Sequence, residues 1–244
     1  MQTSDAVERL DTGSTEDQLQ VVIHNQRYAF ALERLTAQDL VLEVGTGMGS
    51  CSSLLVRQCH AYTGLEFEPE ACESTRRRLN GSGTVIQGDA QAMPFADGSF
   101  SAVVCLETLE HLPDYRKAVA EIHRCLKPEG KAVISVPYRK HSVKKPVNPY
   151  HLYEPGEAEL VGEFRRFFRN VEPWYQYFEE TPLMTFARTF HIRRFLGLSQ
   201  IYRDYSQGKP EATAKIKVTT KFGGMGISLL MMASGRIAQP AVDT

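Results

Sequence analysis

The chain predicts an α/β fold in which a mostly parallel sheet is covered by helices on both faces. Three observations carry that expectation. Short apolar runs alternate with helical patterns from residue 40 to residue 136, which is the signature of parallel strands joined by helical crossovers. The first of these runs turns into a helix over three glycines, Gly45, Gly47 and Gly49. Acidic residues, Glu66 and Asp89, then stand at the expected carboxyl ends of the next two strands.

The elements follow in order. A helical pattern over 18–36 offers Leu19, Val22, Ile23, Gln26, Phe30 and Leu35 for packing. Strand and helix then alternate: strand 40–44, helix 48–58, strand 60–67, helix 69–79, strand 83–87, strand 101–106, helix 114–126 and strand 131–136. Gly130, with Pro128 close by, is expected to end the helix before the fifth strand. Lys215-Ile216-Lys217-Val218 alternates as a strand does, and Gly226 to Ala233 reads as a final antiparallel strand. Residues 1–17 and 236–244 are expected to be loose ends.

Composition agrees with one enzyme-sized unit. A chain of 244 residues can bury a substantial single core, and its 42% hydrophobic content argues against disorder. Lys plus Arg number 28 against 29 Asp plus Glu, so no global charge draws the chain to nucleic acid or to a membrane. The polar start, Met1-Gln2-Thr3-Ser4-Asp5, is not that of a signal peptide, and no apolar run has transmembrane length. The cysteines Cys51, Cys59, Cys72, Cys105 and Cys125 form no CxxC pair and are read as small packing residues in a reducing, cytoplasmic setting.

The glycine turn is the most informative stretch. Glycine lets the backbone adopt positive φ and lets a ligand approach the main chain closely. The N–H groups of the following helix then face that ligand, so a nucleotide-like cofactor is expected. The dinucleotide fingerprint would need a third glycine where Ser50 stands, which argues against a nicotinamide dehydrogenase. An acid at the tip of the second strand suits ribose hydroxyls, and an Asp in the turn after the third suits an exocyclic amino group.

Five blocks in order resemble the class I S-adenosylmethionine-dependent methyltransferases, among them the ubiquinone-pathway and other small-molecule enzymes. They are Leu42-Glu43-Val44-Gly45-Thr46-Gly47-Met48-Gly49, Gly64-Leu65-Glu66, Gly88-Asp89-Ala90 through Phe100, Leu106-Glu107-Thr108-Leu109-Glu110-His111-Leu112, and Leu126-Lys127-Pro128-Glu129-Gly130-Lys131. The resemblance implies a Rossmann-like fold: a seven-stranded, mostly parallel sheet with an antiparallel last strand and helical insertions on the substrate side. It divides the chain into a methyltransferase domain over 18–235, with acceptor-side and lid insertions over 137–224. It implies S-adenosylmethionine as cofactor and S-adenosylhomocysteine as product, and no metal is expected, since a divalent ion would need more nearby carboxylates than the sequence places. The cofactor residues it implies are Glu43, Gly45, Thr46, Gly47, Gly49, Glu66 on the ribose, Phe67, Asp89 on the adenine, Ala90 and Glu107. The family usually places Asp where this chain has Glu66.

Two further blocks, His24 to Ala31 and Asn148-Pro149-Tyr150-His151-Leu152-Tyr153-Glu154, look like bacterial methyltransferases associated with cell-surface glycans and specialised metabolites. In such enzymes the residues before the first strand close over the methionine end. Arg27 for the carboxylate and Tyr28 for a hydrogen bond or packing are the candidates there, with Tyr150, His151 and Tyr153 as candidates for the acceptor. Residues 138–221 carry 15 basic against 9 acidic side chains, whereas residues 1–137 carry 12 against 19. A basic acceptor side hints at an anionic substrate. The stretch Thr181 to Tyr205, with Phe186, Phe190 and Phe195, reads as a lid or as the surface of a homodimer.

An alcohol acceptor needs a base, worth about 10²–10⁴-fold, and His111 and His151 are the candidates. The expected reaction is transfer of a methyl group to a hydroxyl of a small polar metabolite, such as a sugar or a phosphorylated or nucleotide-linked compound. An N-methyltransferase on an amino-sugar or peptide-like product, and a non-catalytic relative that binds the cofactor, stay open. No aromatic–basic RNA motif is visible.

Overall fold

The computed structural model describes residues 18–179, 216–221 and 224–237. The expected loose termini and the stretch Thr181 to Tyr205 lie outside the described residues, apart from Arg236 and Ile237.

The elements are α1 (Gln18–Leu32), β1 (Leu40–Val44), α2 (Ser52–Gln58), β2 (Ala61–Glu66), α3 (Pro69–Leu79), β3 (Thr84–Gln87), β4 (Phe100–Leu106), a 3₁₀ turn (Leu109–His111), α4 (Tyr115–Cys125), β5 (Leu126–Pro137), α5 (Glu157–Arg165), β6 (Phe168–Glu179), β7 (Ile216–Thr219) and β8 (Gly224–Arg236). They build one sheet in the order β3-β2-β1-β4-β5-β8-β6-β7. β1 pairs parallel with β2 and β4, β2 with β3, and β4 with β5. β8 runs antiparallel between β5 and β6, and β7 runs antiparallel along β6.

Burial on both faces explains the apolar strands. Along β1, Val41 points into one core with Phe30, Leu55 and Leu79, and Leu42 points into the other with Ile122, Leu160 and Phe164. Neighbouring residues of a strand face opposite sides, so helices α1, α2 and α3 cover one face and α4 and α5 the other. Helix α3 begins with Pro69 in its first turn and ends with Arg76, Arg77 and Arg78 before Asn80 in the left-handed region, a polarity that suits the helix dipole.

Four expectations are corrected. The sheet has eight strands rather than seven, because residues 168–179, over which no strand was expected, form β6 between β8 and β7. Helix α1 stops at Leu32, where the chain turns toward β1 and Asp39 accepts from the Thr36 N–H at 2.7 Å. Helix α2 starts at Ser52 instead of 48, since Gly47 and Gly49 hold φ of 54° and 75°, outside helical space. Gly130 does not end α4. That helix stops at Cys125, and Gly130 lies in β5, where the register against β4 jumps from Leu126 opposite Phe100 to Lys131 opposite Ala102.

The strand order reverses between β2-β1 and β4-β5. In such sheets the crevice outside the carboxyl ends at that switch point is where ligands bind. The loops after β1, β2, β3 and β4 all open there.

Candidate active site

A cleft of about 630 Å³ occupies the switch point. Its floor and one wall come from Gly45, Gly47, Glu66, Phe67, Asp89, Ala90 and Glu107, and its other wall from His111, Leu112, Pro113, Pro149, Tyr150 and Leu152.

The glycine turn is shaped by close approach on one side and openness on the other. A side chain at Gly45 would place its Cβ 2.4 Å from Thr108 Oγ1, and one at Gly49 would lie 2.6 Å from Thr75 Oγ1. A Cβ at Gly47 would have no atom within 4 Å. Gly47 thus presents bare main chain to the cleft, while Gly45 and Gly49 let the turn settle on its neighbours.

Glu66 is fixed by the main chain. Its Oε2 accepts from the Gly47 N–H at 2.8 Å, and its Oε1 accepts from the N–H groups of Phe67 at 3.0 Å and Glu68 at 3.1 Å. Charge-assisted bonds of this kind hold a carboxylate in one place. Asp89 accepts from the Gln91 N–H at 2.8 Å and from the Gln91 side-chain amide at 3.2 Å. Gln91 in turn accepts from the Asp114 N–H at the start of α4, which ties Asp89 to a helix.

Glu107 ends β4 with φ of 48°, a left-handed conformation that costs a non-glycine residue roughly 1–3 kcal/mol. The strain is held in place by neighbours. Its N–H donates to the Ser135 carbonyl at 2.9 Å, Ser135 Oγ donates to its carboxylate at 2.7 Å, and Arg27 lies 3.3 Å from its other oxygen. Arg27 also donates to Gln176 at 3.1 Å and to Ser228 at 2.7 Å. One guanidinium thereby joins α1, β6, β8 and the rim of the cleft.

Glu43 sits beneath the glycine turn, 2% exposed. Three hydroxyls donate to it, from Tyr28, Tyr62 and Ser52. Burial pushes its carboxyl above the usual range against the pull of those bonds, and burial beside Glu43 raises both phenols well above theirs. The cluster clamps α1, α2 and β2 onto β1.

On the opposite wall the 3₁₀ turn and the 138–156 segment meet. His111 Nδ1 lies 3.0 Å from the Tyr150 carbonyl, which makes it the protonated nitrogen, since a carbonyl only accepts. His151 packs edge-on against His111 with ring centroids 4.9 Å apart. Both His151 nitrogens are engaged: Nδ1 with Glu154 at 2.6 Å and Nε2 with the Asn148 amide at 3.0 Å. Tyr153 donates to Glu159 at 2.5 Å and stacks on Tyr115. Donor atoms of Glu110, His111 and His151 lie within 4.8 Å of one another; a cation there would have to displace the Asn148 amide or Glu154 from His151 to use that ring.

Of the residues singled out from the sequence, nine line the cleft: Gly45, Gly47, Glu66, Phe67, Asp89, Ala90, Glu107, His111 and Tyr150. Arg27, Tyr28, Glu43, Thr46, Gly49, His151 and Tyr153 stand behind it and hold the lining in place. Thr46, for example, meets Thr75 at 3.3 Å beneath the turn. Residues not singled out also line it, among them Thr108, Gln91, Leu112 and Leu152. Only Gln91 carried a usable signal, a polar side chain two residues after the acid of a turn. The five cysteines are free, four of them buried.

The reversed strand order, the open glycine turn and two carboxylates at successive strand ends define a Rossmann-like, class I methyltransferase fold. The cradle fits the adenosyl part of S-adenosylmethionine, the cofactor this class implies, with a bare main-chain approach at Gly47 and anchored acceptors at Glu66 and Asp89. A family described as a methyltransferase domain matches residues 42–134. The chain is 37% identical to a fatty-acid O-methyltransferase of Mycolicibacterium smegmatis over 113 residues, covering 43% of this chain and 41% of that protein. It is 30% identical to a protein of the same organism named as a probable S-adenosylmethionine-dependent methyltransferase over 157 residues, 63% of this chain and 60% of the relative. The chain therefore spans less than two thirds of these relatives. The YcgJ protein of Bacillus subtilis superposes with a TM-score of 0.61 over 88% of this chain and 100% of its own, at 16% identity, which shows the shared fold. Among the described residues no helix is long and apolar enough to cross a membrane.

Proposed function

We propose that the chain is an S-adenosylmethionine-dependent methyltransferase acting on a hydroxyl of an amphipathic acceptor, with residues 18–235 as one domain and 137–224 as its acceptor side. The observation that carries this reading is the two-sided lining of the cleft. One wall offers anchored carboxylates and bare main chain; the other offers one imidazole set among Leu112, Pro113, Pro149 and Leu152.

When bound, the cofactor would supply a methyl group on a positively charged sulfur. Gly45, Gly47, Glu66, Phe67, Asp89 and Ala90 would hold its adenosine, and Glu107 with Arg27 behind it would face its amino-acid end. Methyl transfer removes the sulfonium charge, so the residues need not stabilise a new anion, and alignment in a crevice shielded from water supplies much of the acceleration. A neutral hydroxyl is a weak nucleophile. His111 lines the cleft with Nδ1 against the Tyr150 carbonyl, and its imidazole is the group assigned to take the acceptor proton. His151, with Glu154 and Asn148 on its two nitrogens, packs against that ring and orients it.

The apolar wall favours an acceptor with a hydrocarbon or ring body over a fully polar sugar, which would leave Leu112, Pro113 and Leu152 facing it without complement. The fatty-acid substrate named for one relative is consistent with that choice. An amine acceptor is the second reading; it enters as its own nucleophile and needs no base.

The test is methyl transfer from radiolabelled S-adenosylmethionine to long-chain alcohols, polar sugars and amines, with wild type and His111→Ala. The expected result is turnover of the amphipathic alcohol that falls about 10²–10⁴-fold in the variant. Turnover confined to amines and indifferent to His111 would overturn the hydroxyl reading.

A further inference from the structure

Residues 138–153 contain four Lys and Arg side chains and no carboxylate. The segment leaves β5, turns, and returns toward α5 as a loop whose base is closed by paired bonds between Val143 and Glu154 at 2.8 and 3.1 Å. The base is built inward. Buried Glu154 binds Arg139 and His151, and the Glu110 carbonyl accepts from the N–H groups of Leu152 and Tyr153. The tip is built outward. Lys144 and Lys145 are exposed and Val147 is 100% exposed, while Leu152, held at the base, is still 52% exposed.

Large exposed hydrophobics are scarce among the described residues: Phe67, Val147, Tyr150 and Leu152. Three of them line the cleft and the fourth lies three residues from Tyr150. Apolar side chains at a cleft mouth, on the same loop as exposed Lys144 and Lys145, match a surface that is negative outside and apolar beneath. Single exposed hydrophobics need no explanation, but a cluster rimmed by charge of one sign marks an interaction site. Arg139 is committed to Glu154, so Lys144 and Lys145 at the tip supply the outward charge.

We infer that the tip of the 138–153 loop docks on an anionic lipid bilayer, with Lys144 and Lys145 at the headgroups and Val147 inserted between them, so that the cleft mouth opens toward the membrane. This rests on the amphipathic acceptor proposed above: such a molecule partitions into bilayers, and a cleft that opens onto the lipid surface receives it without passage through water. Lysines near an anionic surface are attracted within a Debye length, and a shallow apolar side chain adds to that attraction.

The experiment is co-sedimentation of the full chain with vesicles of phosphatidylcholine alone or mixed with phosphatidylglycerol. Calorimetry with S-adenosylhomocysteine is run in parallel. Neither Lys144, Lys145 nor Val147 lines the cleft, so variants there leave cofactor affinity as a control for folding. The expected result is binding to the anionic vesicles only, weakened by salt, lowered about 25-fold in Lys144→Ala/Lys145→Ala, at roughly fivefold per lysine, and lowered again by Val147→Asp. Equal binding to both vesicle types, or binding to soluble heparin without binding to vesicles, would overturn the inference. Retained cofactor affinity in a chain that ignores vesicles removes the docking surface and leaves the methyltransferase reading intact; vesicle binding without cofactor affinity does the reverse.

Discussion

Arg27 of the first helix and Glu107 at the end of β4 meet as an ion pair at 3.3 Å, with side chains 9% and 21% exposed. The pair links a helix that precedes the sheet to a strained residue on the rim of the cleft. Opposite charges held this way present a cation and an anion side by side, which suits a zwitterionic ligand end. Removing one partner from a largely buried pair strands the other charge, at a cost of roughly 2–4 kcal/mol once partial exposure is discounted. Arg27→Met is therefore expected to lower the unfolding free energy by that amount and to weaken S-adenosylhomocysteine binding. Urea denaturation and calorimetry read the two effects separately. A stable variant with unchanged affinity would show that the pair serves neither purpose.

Glu66 is the second test. Its Oε1 accepts two main-chain N–H bonds and its Oε2 accepts one, so Oε2 keeps a further lone pair for a ligand hydroxyl. A hydrogen bond to a charged group contributes about 1.5–3 kcal/mol. Glu66→Ala should then weaken cofactor binding by roughly 10- to 150-fold. Glu66→Asp, one methylene shorter, should lose the Gly47 contact before it loses the charge and show an intermediate affinity. If both variants bind S-adenosylhomocysteine as the wild type does, the ribose assignment is wrong.

The glycines separate structure from ligand. Gly45 has φ of 75° and a Cβ there would meet the Thr108 side chain at 2.4 Å; Gly47 has φ of 54° and open space in place of a Cβ. Alanine at either position bears the left-handed penalty of roughly 1–2 kcal/mol. Gly45→Ala must also push Thr108 off its bond to the Val44 carbonyl, so it should be the less stable of the two by thermal denaturation. Gly47→Ala, whose methyl group would enter the cleft, should retain more stability and lose more cofactor affinity. The opposite ranking would mean that Gly47 does not face the ligand.

The donor half of the site was legible because its chemistry is local. A strand, three glycines and an acid at a strand end are contiguous in the chain, so spacing alone brings Gly47 and Glu66 to one place. Glu43 shows the limit of that logic. It stands within the same motif, but strand alternation turns it away from the cleft and into the Tyr28–Tyr62–Ser52 cluster. The acceptor wall was less legible, since Leu112 and Leu152 are 40 residues apart and meet through main-chain bonds from the loop to Glu110. Nothing in residue type marks a leucine as lining rather than core. The basic excess over 138–221 was legible as composition, but its concentration at the exposed tip of the 138–153 loop was not. β7 was readable as alternation, but its place at the sheet edge depends on pairing with β6, which no local pattern specifies.

Glu110 provides the last prediction, through pH. It is fully buried, and neither carboxylate oxygen has a hydrogen-bond partner among the described residues. Burial, and next the charge of Glu107, push its carboxyl well above the usual range. A carboxyl whose folded pKa is raised binds its proton more tightly in the native state. Its favourable contribution is complete below the unfolded pKa, near 4.5, and is lost as pH rises toward the folded value. Glu43 is shifted in the same direction, but it is present in wild type and variant alike and cancels in their difference. Glu110→Gln keeps the shape and removes the titration. The variant should gain on the wild type as pH rises from about 5 to 8, by about 1.4 kcal/mol for each pH unit over which Glu110 holds its proton only in the folded state. Urea unfolding at the two pH values measures this directly. Parallel stability curves would mean that Glu110 has found a partner in solution that keeps it charged at little cost.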